Sequence, residues 1–149
     1  MIWETLLGAA LEASLGLLAE AGFGDEVRAL KARWTKQDEK ARRAAFDRAV
    51  EQASEAIDDE NLRLLLRYPP FQEAVVAGLL DPASGFDWRA AVTDWEGRLP
   101  PSYIPALRRF YSTLETALLA DETWGPILER YQAMRFRQDV MEALEARAL

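Results

Sequence analysis

The sequence contains no cysteine and no histidine among its 149 residues. The first absence excludes disulfides, thiol nucleophiles and cysteine-ligated zinc. The second removes the imidazole that most often serves as a catalytic base or a metal ligand. Any chemistry would therefore have to rest on serine, lysine or carboxylate side chains.

Glycine-rich phosphate-binding signatures are also absent. Neither G-x-x-x-x-G-K-[ST] nor G-x-G-x-x-G occurs, so we expect no nucleotide site of those kinds. No serine lies in a nucleophile elbow or an S-x-x-K context. The serines are Ser14, Ser54, Ser84, Ser102 and Ser112. Carboxylates are plentiful, but the E-x-x-H pairs of a helical metal site are missing. We predict no catalysis, no cofactor and no metal.

The charge of the chain is negative overall and positive in one stretch. Lysine and arginine number 18 against 25 aspartate and glutamate residues, a net charge of −7. That excess repels a phosphate backbone, so we do not expect nucleic acid as a partner. Between Arg28 and Arg48, however, Lys36, Lys40 and Arg43 follow steps of four and three, which favours one helical face. Such a face is either a binding site for an acidic protein surface or an ordinary solvated face.

What the sequence does contain is helical periodicity. Half of the residues are apolar; they recur at steps of three and four, and glycines, prolines and capping carboxylates separate the segments. No run of β-branched residues alternates with polar ones as a strand requires. The pattern predicts an all-α fold, a single bundle of about seven to eight helices over residues 1–149, which is an ordinary length for one domain.

Several helix boundaries are predicted by local chemistry. We expect Gly22 to end the first helix and Asp25 to cap the second. The acidic residues 58–60 should open a short helix, because carboxylates favour the positive end of the helix dipole. Proline disfavours helical angles at the residue before it, so Tyr68 should end that helix and Pro70 should lie in the first turn of the next. A later helix is predicted to begin with Asp87 as its cap.

The last helix and the tryptophans are predicted to contribute to the core. The helix should run from about Thr123 to the end of the chain, with Met141 and Leu144 on its apolar stripe. Four of the five tryptophans lie on the apolar stripes of their helices, which favours packing over a ligand pocket. Because truncation of a buried aromatic side chain costs about 3 to 5 kcal/mol, we expect Trp95→Ala to do so.

The first helix, predicted for residues 2–21, is apolar on more than one face. Glu4, Glu12 and Glu20 interrupt it and no lysine or arginine precedes it, so neither a signal peptide nor a simple transmembrane helix fits. We therefore expect a cytoplasmic protein. The helix either lies at the centre of the bundle, or leaves it to pack with copies of itself or to enter a membrane as an oligomer.

Helix ends and core positions from Ala44 onward follow an unusual order. They are Ala45-Phe46 with Ala49 and Val50, Leu65-Leu66-Arg67-Tyr68-Pro69-Pro70-Phe71, Leu79-Leu80-Asp81-Pro82, Trp95 with Leu99-Pro100-Pro101, and Leu118-Leu119-Ala120-Asp121. In this order they resemble the N-terminal helical domains that precede the NACHT module in bacterial STAND-type NTPases, relatives of NOD-like receptors. The resemblance covers roughly two thirds of the chain, and none of its positions belongs to a catalytic motif.

The resemblance implies a signalling receptor of antiviral defence or programmed cell death, in which this segment lies beside an ATP-driven switch and passes activation to an effector. Because the sequence has no Walker lysine, it would be a domain excised from a longer receptor or a standalone relative.

The hypothesis is a non-enzymatic adaptor domain that binds other domains of the same receptor, an effector or a second copy. The residues predicted to carry these contacts are Leu6, Leu17, Lys36, Lys40 and Arg43. The alternative is a membrane-permeabilising cell-death effector that releases the first helix, and only there is a membrane expected as a partner. A third possibility is a bundle that only spaces or caps neighbouring domains.

Overall fold

The structure is a computed structural model that describes residues 19–36, 39–80 and 88–148. Within these ranges the chain forms seven α-helices, a π-helical turn at Ala19–Phe23 and a 3-10 helix at Thr93–Arg98, without any strand. The α-helices are α1 Gly24–Lys36, α2 Glu39–Ser54, α3 Glu60–Leu66, α4 Pro69–Leu80, α5 Arg89–Val92, α6 Tyr103–Ala120 and α7 Gly125–Ala148. The predicted all-α bundle is confirmed.

Two long helices, α2 and α6, form the centre of the bundle by packing side by side. Along α6 the apolar residues recur every three or four positions and therefore share one face, which is buried. They are Leu107, Phe110, Leu114 and Leu118. The last helix, α7, packs against α6, α1 and α4. Full burial of one such side chain stabilises the fold by about 1.5 to 3 kcal/mol, so these stripes hold the helices together.

The corner between α6 and α7 buries a tryptophan. Only 2% of Trp124 is exposed, and its ring centroid lies 5.7 Å from that of Phe46 on α2. The indole Nε1 donates a hydrogen bond of 3.0 Å to the backbone carbonyl of Arg42. Burial would otherwise leave this N–H without a partner, at a cost of about 1 to 3 kcal/mol. Trp124 thus joins the start of α7 to the first turns of α2.

Two further residues shape this corner. The carboxylate of Asp121 accepts hydrogen bonds from the backbone N–H groups of Thr123, at 2.8 Å, and Trp124, at 3.0 Å. These are amide protons that the start of a helix leaves without partners. At Gly125 an added Cβ would lie 2.3 Å from the carbonyl oxygen of Leu119. Only a residue without a side chain permits α7 to begin so close to the backbone of α6.

Most helix boundaries lie where local chemistry predicts them. The carboxylate of Asp59 caps α3 by accepting from the N–H of Leu62 at 2.9 Å. The next helix begins at Pro69, directly after Tyr68. Gly22, at the end of the π-helical turn, has a φ of 102°, a left-handed conformation that glycine adopts without steric cost. The predictions for Asp59 and Tyr68 are confirmed, whereas most of the helix that Gly22 was expected to end lies outside the described residues.

One predicted cap is displaced by a single position. Helix α1 begins at Gly24, so Asp25 lies inside the first turn instead of preceding it. Its carboxylate forms an ion pair with Arg28 and still favours the positive end of the helix dipole. Asp87, the other predicted cap, and residues 2–18 of the predicted first helix lie outside the described residues.

Two predictions about buried apolar residues are wrong. Trp95 lies on the 3-10 helix and is only half-buried, with its ring 5.6 Å from that of Tyr68. Met141 and Leu144 are exposed and do not continue the buried stripe of α7. Helical spacing groups apolar residues on a face, but the position of the core decides which face is covered.

Trp124→Ala should lower the free energy of unfolding by about 3 to 5 kcal/mol, because it removes a fully buried aromatic side chain. Trp124→Phe keeps a ring and loses the hydrogen bond to Arg42, so a loss of about 1 kcal/mol or more is expected. The half-buried Trp95 provides the comparison, and its replacement by alanine should cost less. Urea unfolding measures all three variants, and equal losses for Trp124→Ala and Trp95→Ala would contradict the packing described.

Gly125→Ala should destabilise the protein by about 1 to 3 kcal/mol, since the new methyl group collides with the backbone of α6. The matched control is Gly97→Ala, because a Cβ at Gly97 meets no atom within 4 Å. That variant should be neutral or slightly stabilised through a less flexible unfolded chain. Thermal unfolding by circular dichroism compares the two. An unchanged midpoint for Gly125→Ala would show that α6 and α7 can move apart to accept the methyl group.

Candidate protein-interaction surfaces

The predicted positive face is divided between two helices. Lys36 is the last residue of α1, whereas Lys40 and Arg43 lie in the first turns of α2, which begins at Glu39. The two residues between these helices, 37–38, lie outside the described residues, so the shared face of Lys36, Lys40 and Arg43 stays a prediction. Lys40 is exposed. Arg43 is half-buried and donates from Nε to a carboxylate oxygen of Asp47 at 3.1 Å.

The two apolar residues predicted to bind a partner, Leu6 and Leu17, lie outside the described residues. The described chain begins at Ala19 in the π-helical turn, which leads directly into α1. At this point the chain is held to the last helix, because the guanidinium of Arg137 lies 5.3 Å from the ring centroid of Phe23. The described chain therefore begins beside α7.

Exposed apolar side chains gather in the last turns of α7. Five large hydrophobic residues of the described ranges are exposed, and four of them lie on this helix. They are Phe136, Val140, Met141 and Leu144. We call these four the α7 distal face. Single exposed apolar residues are ordinary, whereas a contiguous group marks an interaction site. Phe136 is 69% exposed and Leu144 is 60% exposed, so the described bundle covers less than half of either side chain.

The distal face arises because α7 continues past its last buried residue and because most of its apolar stripe changes sides there. The early stripe is buried and consists of Ile127, Leu128, Tyr131 and Met134. Positions four, eight and eleven residues after Met134 continue that line, and they hold the polar residues Gln138, Glu142 and Glu145. Phe136, two residues after Met134, lies on nearly the opposite side at about 100° per residue. Val140 and Leu144 follow Phe136 at steps of four and share its side, whereas Met141, seven residues after Met134, remains on the original line.

Two clefts in the bundle offer little chemistry. One, of about 490 Å³, lies between α6 and the α2–α3 connection, and Asp58, Asp59 and Arg109 contribute to its lining. Asp59 is already occupied as the cap of α3. The other, of about 580 Å³, is lined largely by alanine, serine and threonine side chains of α2 and α6. In the part of the chain that the structure describes, no three acidic residues are grouped so that they could hold a metal ion.

One titratable side chain on α6 is strongly perturbed. Burial raises the pKa of Tyr111 to about 12, and the carboxylate of Glu115 adds to the rise. Perturbed pKa values often mark functional sites. The principal cause is desolvation against the core, however, and it keeps the phenol neutral. We therefore interpret Tyr111 as a packing residue.

The chain matches no family model, no curated protein and no solved structure. The resemblance to the N-terminal domains of STAND-type NTPases therefore depends on the sequence positions themselves. Of these, residues 65–71 span the junction of α3 and α4, and residues 118–121 end α6 at the corner with α7. Phe46 is fully buried on α2.

Because the pKa of Tyr111 is raised, the stability of the fold should change with pH in the alkaline range. The pKa of Tyr111 is about 12 in the folded protein and about 10 in the unfolded chain. The contribution of Tyr111 to the free energy of unfolding is therefore complete below pH 10. It is lost as the pH rises toward 12, because the unfolded chain releases its proton first. Tyr111→Phe should therefore reduce the fall in unfolding free energy across this window, measured by urea unfolding at each pH. An identical pH dependence in both proteins would contradict the assignment.

Proposed function

We propose that this chain is a non-enzymatic helical protein-interaction domain, and that the α7 distal face is its docking surface. The observation that carries the proposal is the exposure of four large apolar side chains along the part of α7 that follows its last buried residue. Removal of apolar surface from water is the dominant favourable term in most protein association. A second polypeptide segment laid along α7 would provide that burial.

The small size of the α7 distal face favours a partner that is held near it within the same polypeptide or assembly. Burying one large apolar side chain contributes about 1.5 to 3 kcal/mol, whereas association of two free molecules costs about 4 to 15 kcal/mol. Four side chains that are already partly covered therefore give a weak site between free molecules. Linkage within one polypeptide or one assembly raises the effective concentration of the partner into the millimolar range, which reduces that cost. The site suits an adaptor that works within a larger protein.

The resemblance to the domains that precede NACHT modules supports the same arrangement. In such a receptor the bundle would remain folded beside the ATP-driven switch, and its docking surface would pass activation to an effector. The function proposed is accordingly that of an adaptor domain of a signalling NTPase in bacterial antiviral defence or programmed cell death.

The rival hypothesis, a membrane-permeabilising effector, depends on a first helix that lies almost entirely outside the described residues. Among the helices that the structure does describe, none combines the length and the apolar character needed to cross a bilayer. Leakage of liposomes caused by the full chain and abolished by Leu11→Glu would support this rival in place of the adaptor.

Leu144→Glu should weaken binding to the remainder of the native protein or to the product of the adjoining gene, because it places a charge within the docking surface. We expect a loss of about tenfold or more, equivalent to about 1.4 kcal/mol, measured by titration calorimetry. The matched control is Leu64→Glu on α3, since Leu64 is 52% exposed and lies outside the distal face.

Both variants should retain the helical circular-dichroism spectrum of the parent. Equal effects of the two substitutions would contradict the docking surface. A native reading frame without any NTPase domain, in this gene or beside it, would contradict the receptor role.

A further inference from the structure

The two clefts beside α6 adjoin and form one groove along the outside of the α2–α6 pair. Ser112 and Thr113, both exposed, contribute to the lining of each cleft. One end of the groove lies at Ala45 and Asp121, where α2 starts and α6 ends. The other end is lined by Asp58, which follows the end of α2. The two helices therefore run antiparallel on either side of the groove, which we call the α2–α6 groove.

Small and neutral side chains line the middle of the α2–α6 groove. Alanines of α2 that recur at steps of four are buried at its floor, namely Ala45, Ala49 and Ala53. The exposed side chains along its walls include Gln52, Ser112, Thr113 and Thr116. Amide and hydroxyl groups both donate and accept hydrogen bonds. An identical surface can therefore satisfy them, and the alanine floor permits close approach.

Each end of the groove carries an arginine together with carboxylates. Arg48 lines the same end as Asp121. At the other end, Arg109 lies with Asp58 and Asp59. Both arginines are exposed. Neither forms an ion pair or a side-chain hydrogen bond with another residue of the ranges 19–36, 39–80 and 88–148. The positive charge at each end is thus available to a carboxylate of another molecule.

This pattern of charges is complementary to itself. Gln52 lines one cleft and Ala53 the other, so the middle of the groove on α2 lies between them. Arg48 and Asp58 lie at similar sequence distances before and after this level. A two-fold axis across the groove at this level therefore brings Arg48 of each copy opposite Asp58 of the other. The same operation turns Arg109 toward the half of the second α6 that ends at Asp121, as in an isologous interface.

The dimensions of the groove correspond to a weak dimer. Helices α2 and α6 contain 16 and 18 residues, so they are about 24 Å and about 27 Å long. Side by side they are about 20 Å wide, which gives a face of about 500 Å² on each copy. An interface of about 1,000 Å² in total lies in the range of transient complexes. Charge complementarity then decides which surface is recognised more than it adds affinity.

We propose that the α2–α6 groove is a self-association surface, on which a second copy of this chain docks with Arg48 of each copy paired to Asp58 of the other. The surface is separate from the α7 distal face, because no residue of α7 lines the groove. The dimer consequently carries two distal faces. Two linked copies bind a partner that has several docking segments more tightly than one copy does.

Sedimentation equilibrium of the full chain tests the dimer, at about 0.15 M salt so that repulsion between the net charges is screened. The parent should self-associate reversibly as its concentration rises. Arg48→Glu and Asp58→Arg each place like charges opposite one another, so each should weaken association about tenfold or more. The matched control is Arg108→Glu, because Arg108 is an exposed arginine of α6 that does not line the groove. It should associate as the parent does.

A mixture of the two variants provides a test that a folding defect cannot imitate. The Arg48→Glu chain carries acidic groups at positions 48 and 58, whereas the Asp58→Arg chain carries basic groups at both. Neither chain should associate with itself. Mixed together they restore two pairs of opposite charge, so the mixture should form a dimer with about the affinity of the parent.

Other results would overturn the inference. They are a parent chain that stays monomeric at every concentration, equal weakening by Arg108→Glu and Arg48→Glu, and a mixture that does not associate. Association that Leu144→Glu abolishes and Arg48→Glu leaves unchanged would show that the second copy docks on the α7 distal face instead. If the parent does not self-associate while Leu144→Glu still weakens partner binding, the inference fails and the proposed function stands.

Discussion

The joint between Trp124, α2 and α6 is the constraint on which the rest of the structure depends. The indole is buried against Phe46 and donates its N–H to the carbonyl of Arg42, so apolar burial and hydrogen bonding act at one point. Gly125 follows directly and permits close approach of two backbones. Because both residues stand at the start of α7, they determine the direction in which that helix leaves the core.

Local chemistry made much of the fold predictable from sequence. The proline pair after Tyr68 and the carboxylate of Asp59 act on their immediate neighbours, and both helix ends were predicted correctly. Asp25 was misplaced by one residue because cap and first-turn positions both favour a carboxylate. Trp124 was not singled out, since a corner residue belongs to no periodic stripe and its partners are 78 and 82 residues away in sequence.

The candidate docking surface was harder to predict, for a geometric reason. Apolar spacing along α7 correctly grouped Met141 with Leu144, but spacing alone does not say which side of a helix meets the core. The signal that could have identified the surface is that Phe136, Val140 and Leu144 start a new line two positions after Met134, while Glu142 and Glu145 lie on the former core line.

The length of α7 beyond its last buried residue gives it a mechanical property. Met134 is the final buried position, and the turns that follow extend about 20 Å at 1.5 Å per residue. A stiff rod held at one end amplifies rotation, so a tilt of about 10° at the buried half would displace the free tip by about 3 to 4 Å. Small repacking at the corner would in this way become a change of position at the tip, beyond the contacts that Arg137 makes with Phe23 and Glu26.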